Sequence, residues 1–291
     1  MAGDLLQFLF AGITVGAIYA LIALGFSLVY SASHVINFAQ GEFVMLGGMG
    51  TVFAAAAGLP LPIAALAALV LAVLAAMGLE RLAIHPARDA GLTGLVIVTI
   101  GASILIRGLA GIVFDRNFHT LPALSGDAPL LVAGATLHPQ ALWILAATLL
   151  VALALWLFFA RSLTGKAMLA AAVDPLAAEL AGIDPRRVVL WTFALAGGLG
   201  ALAGFLVTPL AQTHFQIGVL LGLKGFAAAI VGGLGSAPGA MAGGLVIGLV
   251  EQLTAGYLSS AYKDAVAFVV IVLVLLLRPS GLFGTRAIER V

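Results

Sequence analysis

The sequence predicts an all-α fold, a polytopic transmembrane helix bundle of about nine spans, and three observations predict it. Of 291 residues, 63% are hydrophobic and only 9% are charged. Apolar runs of about 20 residues recur along the chain, the length a helix needs to cross roughly 30 Å of hydrocarbon. Basic residues, turn formers and helix caps concentrate in the connections. A mean hydropathy of +1.21 calls for a bilayer as solvent and argues against a soluble domain of this size.

Taken in order, the candidate spans are residues 5–30, 35–57, 61–79, 93–113, 140–160, 188–208, 217–234, 238–256 and 264–278. The opening "MAGDLLQFLF" carries an acid and no basic lead, so it reads as part of the first helix rather than a cleaved signal. The seventh and ninth spans are short. Stretches near 35–45 and 225–239 are open to being broken or re-entrant, so the count runs from eight to ten.

Thirty-six glycines supply the packing signal. They fall in small-xxx-small registers at Gly12 and Gly16, Gly200 and Gly204, Gly218 and Gly222, Gly239 and Gly243, and Gly244 and Gly248. Lipid gives helices no hydrophobic reason to associate, so close backbone approach has to hold them together. Orientation follows from the basic residues. Arg81 and Arg88, then Arg161, Lys166, Arg186 and Arg187, then Arg278, Arg286 and Arg290 share one side of a nine-span chain, against Arg116 and Lys263 on the other. The rich side is the cytoplasmic one, which puts the C-terminus inside and, with nine crossings, the N-terminus outside.

Two connections are long. Residues 114–139 are rich in proline, glycine and polar residues and face the outside. Residues 161–187 are built differently: Asp174 caps a helix with Pro175 in its first turn, "LAAELA" continues it, Gly182 ends it and "DPRR" starts the next element. Two short helices on the cytoplasmic face follow from that pattern.

The polar residues inside the apolar runs are the candidate functional residues. "VINFAQGEF" (35–43) places Asn37, Gln40 and Glu42 within six residues, at an expected break where Gly41 allows a bend. Helical spacing puts Asn37 and Gln40 on a common face. An ionised Glu42 facing lipid costs roughly 2.5–3.5 kcal/mol on insertion scales, so it needs a base, water or a proton. Lys224 and Glu251, in the seventh and eighth spans, are candidates to pair with Glu42 or with each other. Arg107 lies about 9 Å from the outer end of its span and is expected to snorkel.

The catalytic and metal-binding classes find little support. Gly165-Lys166 is followed by Ala167 and lacks the glycine spacing of a phosphate-binding loop. The five histidines show no metal-binding helical pair, no nucleophile elbow is present, and the chain has no cysteine.

With these residues in view, the stretch "GFSLVYSASHVINFAQGEFVMLGG" (25–48) resembles the N-terminal signature of LivH-type permease subunits of branched-chain amino-acid ABC importers. "GKAMLAAAVDPLAAELAGIDPRRVVLWTFALAGGLGALAG" is similar to the cytoplasmic coupling segment and following helix of that family. Residues 222–253 and 262–284 continue the likeness in the family's order. Two departures stand out: many relatives carry His where this chain has Gln40, and an acid where it has Val173. An amide cannot titrate, which puts a proton-linked role at position 40 in doubt.

The resemblance implies a single permease domain over residues 1–291 in a bacterial or archaeal cytoplasmic (inner) membrane, without enzymatic activity or cofactor. The implied partners are a second related permease, two ATP-binding subunits, and a periplasmic or extracellular solute-binding protein, with no nucleic acid. Asn37, Gln40, Gly41, Glu42, Lys224 and Glu251 are then candidates for the translocation path. Gly165, Asp174, Pro175, Glu179, Gly182, Asp184, Arg186 and Arg187, within 161–187, are candidates for ATPase coupling. The composition alone also suits a stand-alone, gradient-driven secondary transporter or channel.

Overall fold

The computed structural model describes residues 2–126 and 128–284; Arg286 and Arg290, counted above in the basic tail, lie outside the described residues. Eleven α-helices are present among them. They are α1 (Ala2–Ser33), α2 (Gln40–Ala56), α3 (Leu61–Leu79), α4 (Gly91–Val113), α5 (Pro139–Arg161), α6 (Leu163–Val173), α7 (Pro175–Leu180), α8 (Pro185–Ala211), α9 (Ile217–Gly232), α10 (Ala237–Tyr257) and α11 (Lys263–Leu277). A small antiparallel hairpin, β1 (Leu130–Val132) and β2 (Ala135–Leu137), completes the described elements. Each of the nine apolar segments is a helix, and α6 and α7 form the short pair in the long connection 161–187.

The nine are not equivalent. Seven helical segments are long and apolar enough to cross a membrane, whereas α2, with 17 residues, and α9, with 16, fall short. Both begin inside the bundle: Gly41, at the start of α2, packs on Gly218, at the start of α9. The irregular chain of residues 34–39 and 212–216 leads into these buried starts. The expected break near 35–45 is therefore present. The stretch 225–239 is instead the end of α9, a tight turn through Gly233 and Gly235, both with positive φ, and the start of α10.

The glycine registers mark where helices approach closely, and in one case two registers meet each other. Gly12 and Gly16 of α1 lie against Gly244, Leu245, Gly248 and Leu249 of α10. Gly200 and Gly204 of α8 take the backbone of α2 at Phe43, Val44 and Gly48. Gly239 and Gly243 of α10 take Gly232 and Ala228 of α9. A Cβ at Gly16 would stand 2.9 Å from the Gly244 carbonyl oxygen, so the spacing of these helices requires hydrogen at that position.

α1 is the central spine, apolar all round and buried from Ala17 to Leu24 without interruption. α3 shows the opposite pattern. It buries Ala64, Ala68, Ala72 and Ala76, one small residue per turn, while Leu66, Val70 and Leu74 stand exposed where lipid lies. α4, α5 and α11 likewise present mostly exposed apolar surface. The core thus sits between α1, α2, α8, α9 and α10.

Contacts fix the two ends of the bundle. Ala32 of α1 packs with Met168, Ala178 and Val188 of α6, α7 and α8, and Ser31 bonds the Gly235 carbonyl, so these mark one end. At the other end Gln7 accepts from the Thr136 backbone amide at 2.6 Å, and Phe8 meets Tyr257 edge-on.

Candidate functional site

Two polar clusters lie inside the bundle. The first forms where α1 ends and the chain re-enters to start α2. His34 takes a φ of 53°, and Asn37 Oδ1 accepts from the Ala39 amide at 3.0 Å. Thr99 of α4 serves the irregular backbone, its hydroxyl lying 3.3 Å from both the Phe38 amide and the Ile36 carbonyl. Non-helical chain survives at this depth because protein groups satisfy it.

Gln40 then donates from Nε2 to the Ala196 carbonyl at 2.9 Å, and its side chain fills the space that Gly25 leaves by having no Cβ. Asn37 and Gln40 therefore do not share a helix face: Asn37 stays in the turn and Gln40 is the first residue of α2. The expected bend at Gly41 is also corrected. Gly41 is helical, and its missing side chain admits the Gly218 backbone.

Glu42 is 1% exposed. Its Oε1 accepts from Ser103 Oγ at 2.8 Å and lies 3.7 Å from Arg107 Nη1. Arg107 does not snorkel outward; it faces this carboxylate with its side chain one quarter exposed. Glu42 also occupies the first turn of α2, and a Cβ at Gly218 would lie 3.0 Å from its Oε2. The starts of two helices thus face one buried carboxyl group, and a helix N-terminus favours negative charge beside it by on the order of 0.3–2 kcal/mol. Asn37 Nδ2, Gln40 Oε1 and Glu42 Oε2 have no hydrogen-bond partner among the described residues.

The second cluster joins α1, α9, α10 and α11. Lys224 Nζ lies 2.8 Å from Glu251 Oε1 and also pairs with Asp264 of α11. Tyr19 donates its hydroxyl to Glu251 Oε2 at 2.8 Å, and its ring lies 5.6 Å from the ammonium. Lys224 and Glu251 therefore pair with each other, and Glu42 pairs with Arg107. The path candidates separate into two sites rather than one. A buried charge that loses its partner is strongly penalised, so these pairs pin which helices must stay together.

Sequence reasoning missed Ser103, Tyr19 and Asp264. Ser103 and Arg107 are four apart on one helix face, a signal that could have been read. Tyr19, alone in an apolar run, and Asp264, at a span end, gave none.

The connection between α5 and α8 is built by its own caps. Ser162 Oγ accepts from Gly165 N at 2.9 Å; Asp174 Oδ1 accepts from Leu176 N and Ala177 N, each at 3.0 Å; Asp184 Oδ1 accepts from Arg186 N at 3.0 Å. Pro175 stands in the first turn of α7, and Gly182 ends the turn with φ +84°. Gly165 is packed against the Phe158 carbonyl. Arg187 pairs with Asp184 at 3.3 Å, while Glu179 and Arg186 are exposed. Met168, Ala171, Ala178 and Val188 seat the pair on the bundle. The outward face is apolar: Leu163, Val173, Leu176 and Leu180 are 74–92% exposed. Sequence reasoning named the residues that build this segment and its exposed charges, Glu179 and Arg186, and passed over the leucines and valine it displays.

On the opposite end, the loop after α4 is tied to the entry of α9 by paired backbone bonds between His119 and Thr213. A hydrogen bond from His119 and another from the Asn117 amide hold the Asp115 carboxyl below the usual carboxylate range. His214 stacks on Phe118 with centroids 4.5 Å apart, and burial pushes its ring pKa down.

The fold and site define a polytopic helical membrane protein with a charged interior and an apolar, capped segment at one end. The family model for the branched-chain amino acid transport system permease component matches residues 8–275. The chain belongs to that family. It is 36% identical to the high-affinity branched-chain amino acid transport system permease protein LivH of Escherichia coli K12, over 98% of this chain and 97% of that protein. It is also 36% identical to the corresponding permease protein BraD of Pseudomonas aeruginosa, over 98% of both chains. Among solved structures, PsaBC from Streptococcus pneumoniae in complex with Fab aligns with a TM-score of 0.50 at 16% identity, covering 96% of this chain and 92% of that one; this likeness concerns the fold alone.

Proposed function

We propose that the chain is the transmembrane permease subunit of an ATP-binding-cassette importer, carrying branched-chain amino acids or similarly small polar solutes. It pairs with a second, related permease to enclose the path. Two ATP-binding subunits act on the α6–α7 end, and a solute-binding protein delivers cargo at the hairpin end. The α6–α7 end, which carries Arg161, Lys166, Arg186 and Arg187, is cytoplasmic by the positive-inside rule, as is the C-terminus. The whole chain forms one permease domain in the cytoplasmic (inner) membrane.

One observation carries the reading: a capped helix pair is seated on the bundle by one face and shows leucines and valine on the other. A merely solvated connection has no use for such a surface, whereas a motor subunit needs one to grip. Gly165, Asp174, Pro175, Gly182, Asp184 and Arg187 fix its shape, and Glu179 and Arg186 rim it. Rigid-body movement of this segment then transmits to α5 and α8, and through α8 to α2. In the interior, Asn37, Gln40, Gly41 and Glu42 border the path at the junction of α2 and α9, and Lys224 with Glu251 anchors its other wall.

Purified chain, co-reconstituted with its neighbouring ATPase, second permease and binding protein, is expected to take up labelled leucine in a vanadate-sensitive manner. The buried Lys224–Glu251 pair, with the partly exposed Asp264 beside it, favours a second reading, a gradient-driven transporter. Flux driven by an ion gradient through the chain alone would select it.

A further inference from the structure

A cavity of about 650 Å³ lies at the α6 end of the bundle, between α1, α5, α6 and the start of α10. It extends along α1 from Leu24 to Ala32, about 12 Å at 1.5 Å per residue, close to the roughly 15 Å of hydrocarbon in one leaflet. Trp156 and Leu169, 62% and 50% exposed, form its open side. None of the described residues that line it is charged. A zwitterionic amino acid would meet only the hydroxyls of Ser27, Ser31, Thr192 and Ser236 and no opposite charge there, so the cavity suits an apolar occupant better.

Its rim is different. Arg161 follows Ala160 at the end of α5, and Lys166 precedes Leu169 by one turn of α6; both are exposed. The nearest acid in sequence, Asp174, has its Oδ1 committed to the α7 cap. An apolar slot of one-leaflet depth beneath two cations is the complement of an anionic lipid.

The geometry points to a binding site for an anionic phospholipid, one acyl chain filling the cavity and the phosphate held by Arg161 and Lys166. The site goes beyond the transport role proposed above. Because α6 forms one wall, the bound chain wedges between the bundle and the segment that a motor would move. Lipid composition then sets how firmly α6 is seated.

The test uses the full chain purified in mild detergent, with retained lipid identified by native mass spectrometry, then exchanged against phosphatidylglycerol and phosphatidylcholine. One tightly held phospholipid per chain is expected, with phosphatidylglycerol preferred roughly tenfold. R161Q/K166Q should bring that preference near unity while leaving the fold intact. A152L/A172L, which fills the slot, should abolish retention. A chain that retains no phospholipid, or retains it equally with the slot filled, overturns the site; so does a preference unchanged by R161Q/K166Q. The sequence contains no cysteine, so W156C gives a single label. Cross-linking of that position to lipid supports the site, and cross-linking to a protein subunit that covers the slot refutes it.

Discussion

Glu42 shows how a single charged side chain is accommodated in a bundle of this composition. Its carboxylate has a hydroxyl at 2.8 Å, a guanidinium at 3.7 Å, and the starts of two helices beside it. Removing the cation alone should therefore be worse than removing both charges. R107Q is expected to lower stability by about 3–5 kcal/mol and E42Q/R107Q by clearly less. Thermal unfolding of both variants in detergent checks this, and equal losses would mean that the pair is not coupled. Glycine supplies a second contrast. G204A would drive a methyl into the Val44 carbonyl and should cost about 1–3 kcal/mol. G101A, with nothing within 4 Å of the added carbon, should be neutral or stabilising by up to about 1 kcal/mol. His214 adds a pH dependence. Its folded pKa is depressed, so its contribution is complete above the ordinary histidine value of about 6.5 and is lost as pH falls through the folded value. Hydrogen exchange in residues 114–120 and 212–216 should accelerate as pH drops below 6.5, after correction for intrinsic rates, and H214F should remove the effect.

Among the helices, the α6–α7 segment separates building from display. D174A removes an N-cap with two amide partners and should weaken α7 by about 1 kcal/mol. L176D/L180D touches only exposed leucines and should leave the bundle's melting temperature unchanged. If this face grips the ATPase, the same double variant should lower its association at least tenfold, measured by co-purification from membranes. Unchanged association would remove the face from the docking surface. The short helices α2 and α9 make the complementary point. Hydropathy located both as apolar segments, yet their buried starts depend on Gly41 meeting Gly218, a contact between residues 177 positions apart. No local pattern encodes that meeting.

Much of the architecture was legible because a bilayer imposes length, and glycine spacing imposes packing. All nine apolar segments are helices, and the Gly12/Gly16 and Gly244/Gly248 registers meet each other. The caps at Asp174 and Asp184 were equally legible, since capping is local. Charge pairing was not. Arg107 looked like a snorkelling residue because sequence gives its depth but not its rotation, and Lys224 had two candidate acids at unknown distance. The exposed leucines of α6 and α7 were invisible for a related reason: in a chain this apolar, a leucine on display reads like a leucine in lipid.

The most direct measurement is uptake of labelled leucine by proteoliposomes holding the chain with the proposed second permease, ATPases and binding protein. ATP-dependent, vanadate-sensitive accumulation that L176D/L180D abolishes is expected. Accumulation that proceeds without ATPase subunits, driven by an ion gradient through this chain alone, would contradict the importer reading.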